Sequence, residues 1–322
     1  MAKLYFLPRA ALKEHSRILR LGWLIEGWFV GLLLGLLERL PLARATALAR
    51  RVVGALGPRT GIRIKLLRNL AILHPDESID QLEQRARRTF DWLGVSIAEI
   101  THLRDISERR AELVEAEADP SVEDVLRNPE QAAVLVTAHV GPWTLTNLIA
   151  AEYGFRMTIV YAPESNPRIR DRILRLREGM PVNLIEGDGS MRTLLRELGN
   201  GHKIGLATDV RLDGGMLVPL CGHEMETNTV PARLALRSDC PLIPVRALRL
   251  PDGRFRIVAE AAVEPDDPDA DRETRVEQMT RNLSGVYERW IREAPDQWMC
   301  MARRWPKALE RDRLEQARNR GG

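Results

Sequence analysis

The run Ala132-Ala-Val-Leu-Val-Thr-Ala138 carries no charge for seven positions and then stops at His139-Val-Gly-Pro-Trp-Thr144. An apolar run of this length, rich in β-branched residues and closed by glycine and proline, reads as a strand buried on both faces. Such a strand needs helices on both sides, so this segment alone favours an open α/β sheet. It also brings an imidazole to the carboxyl edge of that sheet, where folds of this kind place their ligands. The pattern repeats downstream. Strands are expected near 132–138, 156–161, 182–185, 203–208, 215–220, 242–249 and 254–260, with helices near 143–153, 167–178, 190–198 and 230–238. That alternation predicts an α/β fold with a mostly parallel central sheet flanked by helices. Residues 41–118 read as a helical lead-in, with helices over 43–56, 62–73 and 80–103. The acidic, proline-containing stretch Glu264 to Asp271 reads as a solvated loop whose last residues cap a helix over 272–292.

The N-terminal segment has a different character. Thirteen Lys/Arg stand against three Glu in residues 1–68, a local charge of +10 in a chain whose total is +3. This excess brackets Leu21 to Leu37, seventeen residues with one charge, Glu26, and tryptophans at 23 and 28. A spanning helix needs about 20 apolar residues, so the run is short for a crossing. Lys3, Arg9, Lys13, Arg17 and Arg20 precede it, and Arg39, Arg44, Arg50, Arg51, Arg59, Arg63, Lys65 and Arg68 follow it with no acid between them. Both flanks therefore prefer the same anionic leaflet, the cytoplasmic face of the inner membrane. The expectation is an N-terminal anchor over 1–40, interfacial or re-entrant, joined to one α/β domain over 41–322. The competing reading is a buried helix of the globular core. No small-residue cleavage site follows Leu37 cleanly, which argues against a cleaved signal. No nucleic-acid partner is expected for this charge pattern.

Several side chains could carry chemistry. His139, at a strand end, is the leading candidate for a general base, although a histidine merely satisfied in a turn has the same spacing. A base of this kind needs a neighbour that holds its tautomer and stabilises the imidazolium. Thr144 can accept a hydrogen bond but supplies no negative charge. Asp209 closes the strand-like run 203–208 and, in a parallel sheet, emerges at the same edge as His139, with Arg211 two residues on. The loop Tyr161-Ala-Pro-Glu-Ser-Asn166-Pro167 leads into a helix bearing Arg168, Arg170, Arg172, Arg175 and Arg177. Five arginines on a helix can be a solvated face, or they can bind the phosphates of a lipid head or carrier. Cys221, His223, Glu224 and Glu226 cluster in sequence, yet adjacent His223 and Glu224 point to opposite sides of an extended chain, so a substrate loop is expected there and a metal site is not. Cys221, Cys240 and Cys300 lack CxxC spacing, which argues against a disulfide framework. There is no GxSxG elbow and no GxxxxGK[ST] loop.

Taken together, these segments resemble the bacterial lipid A late (lauroyl/myristoyl) acyltransferase family, within the lysophospholipid acyltransferase group. Arg68-Asn-Leu-Ala-Ile-Leu-His-Pro75 resembles its RxNLxxxxP block, Thr137 to Thr144 its HxGNWE block, and Tyr161 to Pro167 its YRPxxNP block. Ala207-Thr-Asp-Val-Arg211, Pro231-Ala-Arg-Leu-Ala235 and Ile291 to Trp298 with Arg303-Arg-Trp305 resemble later blocks in the same order. The sequence departs at three positions: Thr144 replaces the acidic partner of the histidine, Pro142 an asparagine and Ala162 an arginine. The resemblance implies transfer of a fatty acyl chain from acyl carrier protein or coenzyme A to a glycolipid or lipid A precursor hydroxyl at the inner membrane, without a resident cofactor. It implies His139 as base and Asp209 as a further catalytic group. Glu224 or Glu226 is similar in place to a later glutamate of mycobacterial phosphatidylinositol mannoside acyltransferases. Arg177, Arg175, Arg211, Asn166 and Thr144 are then expected to contact substrate. The alternative is a catalytically impaired lipid-binding relative, with Thr144 in place of the acidic partner.

Overall fold

The computed structural model describes residues 16–187, 189–299 and 301–320. Lys3, Arg9, Lys13 and Cys300 lie outside them. Six helices come first: α1 (Ser16–Leu37), α2 (Leu42–Leu56), α3 (Ile62–Leu73), α4 (Ile79–Thr101), α5 (Leu103–Glu108) and α6 (Arg110–Leu113). Then follow β1 (Val114–Ala118), α7 (Pro120–Arg127), β2 (Ala133–Thr137), a 3-10 turn (Trp143–Leu148), α8 (Ile149–Tyr153), β3 (Met157–Tyr161) and α9 (Pro167–Arg177). The chain continues through β4 (Asn183–Glu186), α10 (Ser190–Gly199), β5 (Lys203–Ala207), β6 (Arg211–Leu220), β7 (His223–Thr227) and α11 (Val230–Ser238). It closes with β8 (Leu242–Arg249), β9 (Phe255–Ala259), α12 (Arg272–Glu293) and α13 (Lys307–Asn319).

Seven strands form one sheet in the order β1-β9-β8-β2-β5-β3-β4. β2 lies near its middle, parallel to both β5 and β8. Its side chains alternate as the pleat requires. Ala133 and Leu135 enter a core with Leu103, Ile149, Met157 and Val245, while Val134 and Val136 pack with Leu194, Ala232, Met279 and Trp290 beneath α10, α11 and α12. Burial on both faces is what the uninterrupted apolar run encodes.

The sheet is mostly parallel, as expected, and two departures from the sequence expectation have physical causes. The lead-in ends in a strand: β1 pairs with β9, and its Glu115 and Glu117 meet Arg256 on that neighbour, so edge ion pairs hold a segment that looks too acidic for a strand. β9 runs antiparallel to β8, giving the sheet one reversed edge. The segment 215–220 does not join the sheet; it belongs to a separate hairpin, β6–β7, turned at Cys221 (φ 53°) and Gly222 (φ 76°). Two successive residues with positive φ suit the tight hairpin turn whose twist matches the flanking strands. Burial raises the Cys221 thiol to about 12 and the Cys240 thiol to about 11, which leaves both as inert free thiols.

α1 is the single described helix long and apolar enough to cross a membrane. It does not stand away from the protein. Leu34, Leu37 and Glu26 are buried against the domain, and Gly27 lets α1 approach α9 so closely that a Cβ there would sit 2.9 Å from Cβ of Arg168. The opposite stripe, Leu21, Leu24, Ile25, Trp28, Phe29, Leu32 and Leu36, is 45% to 61% exposed. These positions recur at helical spacing, so one whole face of α1 is apolar and uncovered.

Candidate active site

The register of the central sheet builds the site. β2 and β5 pair with Thr137 opposite Ala207, so two residues beyond each strand the chain delivers His139 and Asp209 side by side. Gly141 then turns the chain with φ +64°, passing the backbone of β8 so closely that a Cβ would lie 2.9 Å from the Ala247 carbonyl. Only glycine meets both demands without strain. The His139 backbone is pinned by the Met299 N–H on its carbonyl at 2.8 Å, and Gly141 N–H donates to the Gln297 carbonyl at 3.2 Å.

His139 Nδ1 lies 2.6 Å from Asp209 Oδ1. The Asp209 side chain is 1% exposed and that of His139 29%. Asp209 Oδ2 accepts from Trp298 Nε1 at 2.9 Å and faces the Arg304 guanidinium at 3.5 Å. Burial works against the charge on Asp209. Attraction to the imidazolium form of His139 and to the Arg304 charge, with hydrogen bonds from His139 and Trp298, outweighs it and holds the carboxyl well below the usual carboxylate range. An ionised carboxylate can only accept, so the proton of the neutral imidazole sits on Nδ1 and the lone pair on Nε2 is free. The Trp143 ring lies against the imidazole, centroids 5.4 Å apart.

Beside this pair opens a cavity of about 500 Å³, lined by His139, Trp143 and Thr144 together with apolar residues such as Leu135, Met157 and Ile173. Its volume falls in the range of small-molecule sites, and its walls suit a hydrocarbon chain. Arg177 shares the lining. Burial lowers its pKa against the raising influence of Glu164 and Tyr161; a guanidinium stays charged in proteins, so this is a cation in a poorly hydrated place.

His139, Asp209, Thr144 and Arg177 are thus brought together. Thr144 is buried in the cavity wall and forms no hydrogen bond with His139. The other expected residues stand apart. Asn166 is the N-cap of α9: its Oδ1 accepts from Arg168 N–H at 3.1 Å, and its Nδ2 donates to the Trp23 carbonyl and to Glu26 Oε2, both at 2.9 Å. Both polar atoms of that side chain are taken up, one by the α9 cap and one by the α1–α9 junction. Arg175 lies between those helices with Gly27, Trp28 and Leu32, outside the cavity. Arg211 pairs with Asp213 at 2.7 Å and with Glu226 across the hairpin, which takes Glu226 away from His139. Glu224 is exposed on β7. The pairing of β6 with β7 converts the expected substrate loop into a strand, and that is why neither glutamate reaches the imidazole.

Sequence reasoning gave Trp298 and Arg304 no role at the site, because no periodic signal links residues 89 positions apart. The available signal was their place in the Ile291–Trp298 and Arg303-Arg-Trp305 segments, which resemble family blocks. A family model described as bacterial lipid A biosynthesis acyltransferase matches residues 10–307. No curated protein matches the chain.

Proposed function

The chain belongs to the bacterial lipid A biosynthesis acyltransferase family, and from that premise we propose that it moves a fatty acyl chain from a thioester, acyl carrier protein or coenzyme A, to a hydroxyl of a glycolipid or lipid A precursor. The observation that carries this reading is the 2.6 Å pair of His139 and Asp209 at the edge of an apolar cavity. The free Nε2 of His139 takes the proton of the acceptor hydroxyl as its oxygen attacks the thioester carbonyl. Asp209 balances the imidazolium that forms. Collapse of the tetrahedral oxyanion expels the thiolate, which receives the proton from Nε2, so the histidine returns to its starting state. A thiolate leaves readily, and the reaction needs no metal or redox cofactor. The cavity holds the acyl chain, and Arg177 offers its charge to a phosphate or to the developing oxyanion. Asp209 supplies the carboxylate that position 144 lacks, which favours an enzyme over an impaired lipid-binding relative.

The same geometry supports membrane association. α1 is clasped lengthwise to α9 through Glu26 and Asn166, so its uncovered stripe enters the headgroup region as an in-plane helix rather than a crossing one. The basic residues after it favour the anionic cytoplasmic leaflet of the inner membrane. Consumption of a long-chain acyl thioester with a lipid acceptor, compared in wild type and His139→Ala, tests the chemistry. Loss of turnover in the variant is expected; wild-type turnover without the imidazole ends the proposal.

A further inference from the structure

Residues 298–299 and 301–305 run behind the acid of the pair as a strap. Trp298, Arg304 and Trp305 are all 2% exposed or less. The strap is tied on three sides: Asn69 Nδ2 of α3 donates to the Ala302 carbonyl at 2.8 Å, Glu310 Oε1 of α13 accepts from the backbone N–H groups of Arg304 and Trp305 at 3.2 Å, and Trp305 Nε1 donates to the Leu220 carbonyl of β6 at 3.3 Å. Trp305 packs edge-on against Trp298 at 6.0 Å, and the Arg304 guanidinium lies over the Trp298 ring at 5.4 Å. What this scaffold presents inward is one N–H and one positive charge, both aimed at Asp209 Oδ2.

The placement of Arg304 is costly as packing. Among the described residues its Nε and Nη1 are buried without hydrogen-bond partners, and its only ion pair is with Asp209. An apolar side chain of similar size would fill the same space without the desolvation cost. We propose that Trp298 and Arg304 are positioning residues of the acyl transfer: they lock the rotation of the Asp209 carboxylate so that Oδ1 is committed to His139, and Arg304 offsets part of the negative charge that the carboxylate presents to the imidazole. This rests on the acyl-transfer reading above. The titratable and charged groups facing the pair are His139 from the end of β2, Arg304 from the strap and Tyr287 of α12. Burial keeps the Tyr287 hydroxyl protonated, in a 2.7 Å hydrogen bond with Thr208. Arg304 is therefore the one fixed positive charge beside the pair among the described residues.

Trp298→Phe keeps an aromatic ring, though a smaller one, and deletes the N–H. Its kcat is expected to fall about tenfold to a hundredfold, the loss of one hydrogen bond to a charged group, with KM unchanged within about twofold because Asp209 is not itself exposed to substrate. Without the donor, or without the charge in Arg304→Met, Asp209 attracts the His139 proton more strongly, so the acid limb of kcat/KM moves upward by about half to one pH unit. Arg304→Lys restores the charge and should return the limb towards the wild-type position. An independent readout is the His139 ring ¹⁵N titration by NMR, which requires no turnover and should show the same upward shift. Folded variants with wild-type kcat and an unmoved His139 titration would overturn the inference and assign the strap a packing role. If instead the titration shifts while His139→Ala remains active, the positioning stands and the acyl-transfer reading is what fails.

Discussion

Replacing Asp209 by asparagine changes almost no volume at a site that is 1% exposed, yet it should disable the protein. The carboxylate lies 2.6 Å from His139 Nδ1. With charge centres roughly 4 Å apart and an effective dielectric constant of about 20, an imidazolium there gains about 4 kcal/mol from the carboxylate. That alone is worth roughly three decades of rate. A second effect adds to it. Trp298 Nε1 can only donate, so the new amide turns its oxygen to Trp298 and its NH₂ to His139. The amide donor then claims the Nδ1 lone pair, the ring proton moves to Nε2, and the base is lost. In serine proteases the same exchange lowers kcat by about 10⁴, and a fall of about 10³ to 10⁴ in kcat/KM is expected here. Arg304 also loses its counter-charge, which should cost about 3–5 kcal/mol of stability, so turnover must be read well below the variant's melting temperature. Thiol release from an acyl thioester with a lipid acceptor is the assay, in wild type, Asp209→Asn and Asp209→Asn/Thr144→Glu. Position 144 lines the same cavity, and a carboxylate placed there should recover part of the loss. A folded Asp209→Asn protein within tenfold of wild type would refute the argument.

Two further outcomes are expected. Trp28→Glu/Leu32→Glu alters side chains that are 61% and 59% exposed and should leave folding intact; at about 1.5–3 kcal/mol per large apolar side chain, vesicle partition should drop more than about a hundredfold, and undiminished flotation would remove α1 as the principal contact. Lys203, whose Nζ donates to the Asn128 and Gln131 carbonyls at 2.8 and 3.0 Å, is lowered to about 8 by burial. The unfolded lysine titrates near 10.4, so between these values the unfolded chain holds the extra proton and stability must rise with pH; urea midpoints of wild type against Lys203→Met across that window should diverge, and parallel curves would contradict the assignment.

The site was legible where it depends on strand ends. The apolar runs before His139 and Asp209 identify two interior strands, and parallel pairing does the rest, since adjacent parallel strands carry their next residues to the same edge. What escaped depends on tertiary pairing. Glu224 and Glu226 are close to Asp209 in sequence, but the Cys221–Gly222 turn folds them onto β6 instead. β1 escaped because its glutamates are neutralised only by arginines about 140 residues away. Asn166 sits in a block suggestive of substrate contact, and nothing local reveals that α1 claims its amide. α13, with Leu314 and Ala317 as its buried side, carries too many charges for its apolar edge to stand out.

The Glu26–Asn166 clasp has a consequence for anyone wishing to handle this protein in water. Asn166 caps α9, and α9 contributes Ile173 and Arg177 to the cavity wall, so the helix proposed to meet lipid also braces the proposed acyl chamber. Cutting the chain at residue 40 would leave the Asn166 amide without its acceptors and uncover Ala45, Ala49 and Ala98, which pack with Leu37. The fragment would be soluble at the expense of the chamber's shape. Recoding the outward stripe of α1 with polar residues keeps the brace and removes only the exposed apolar surface, and it is by that route that a detergent-free protein should retain a correctly shaped site.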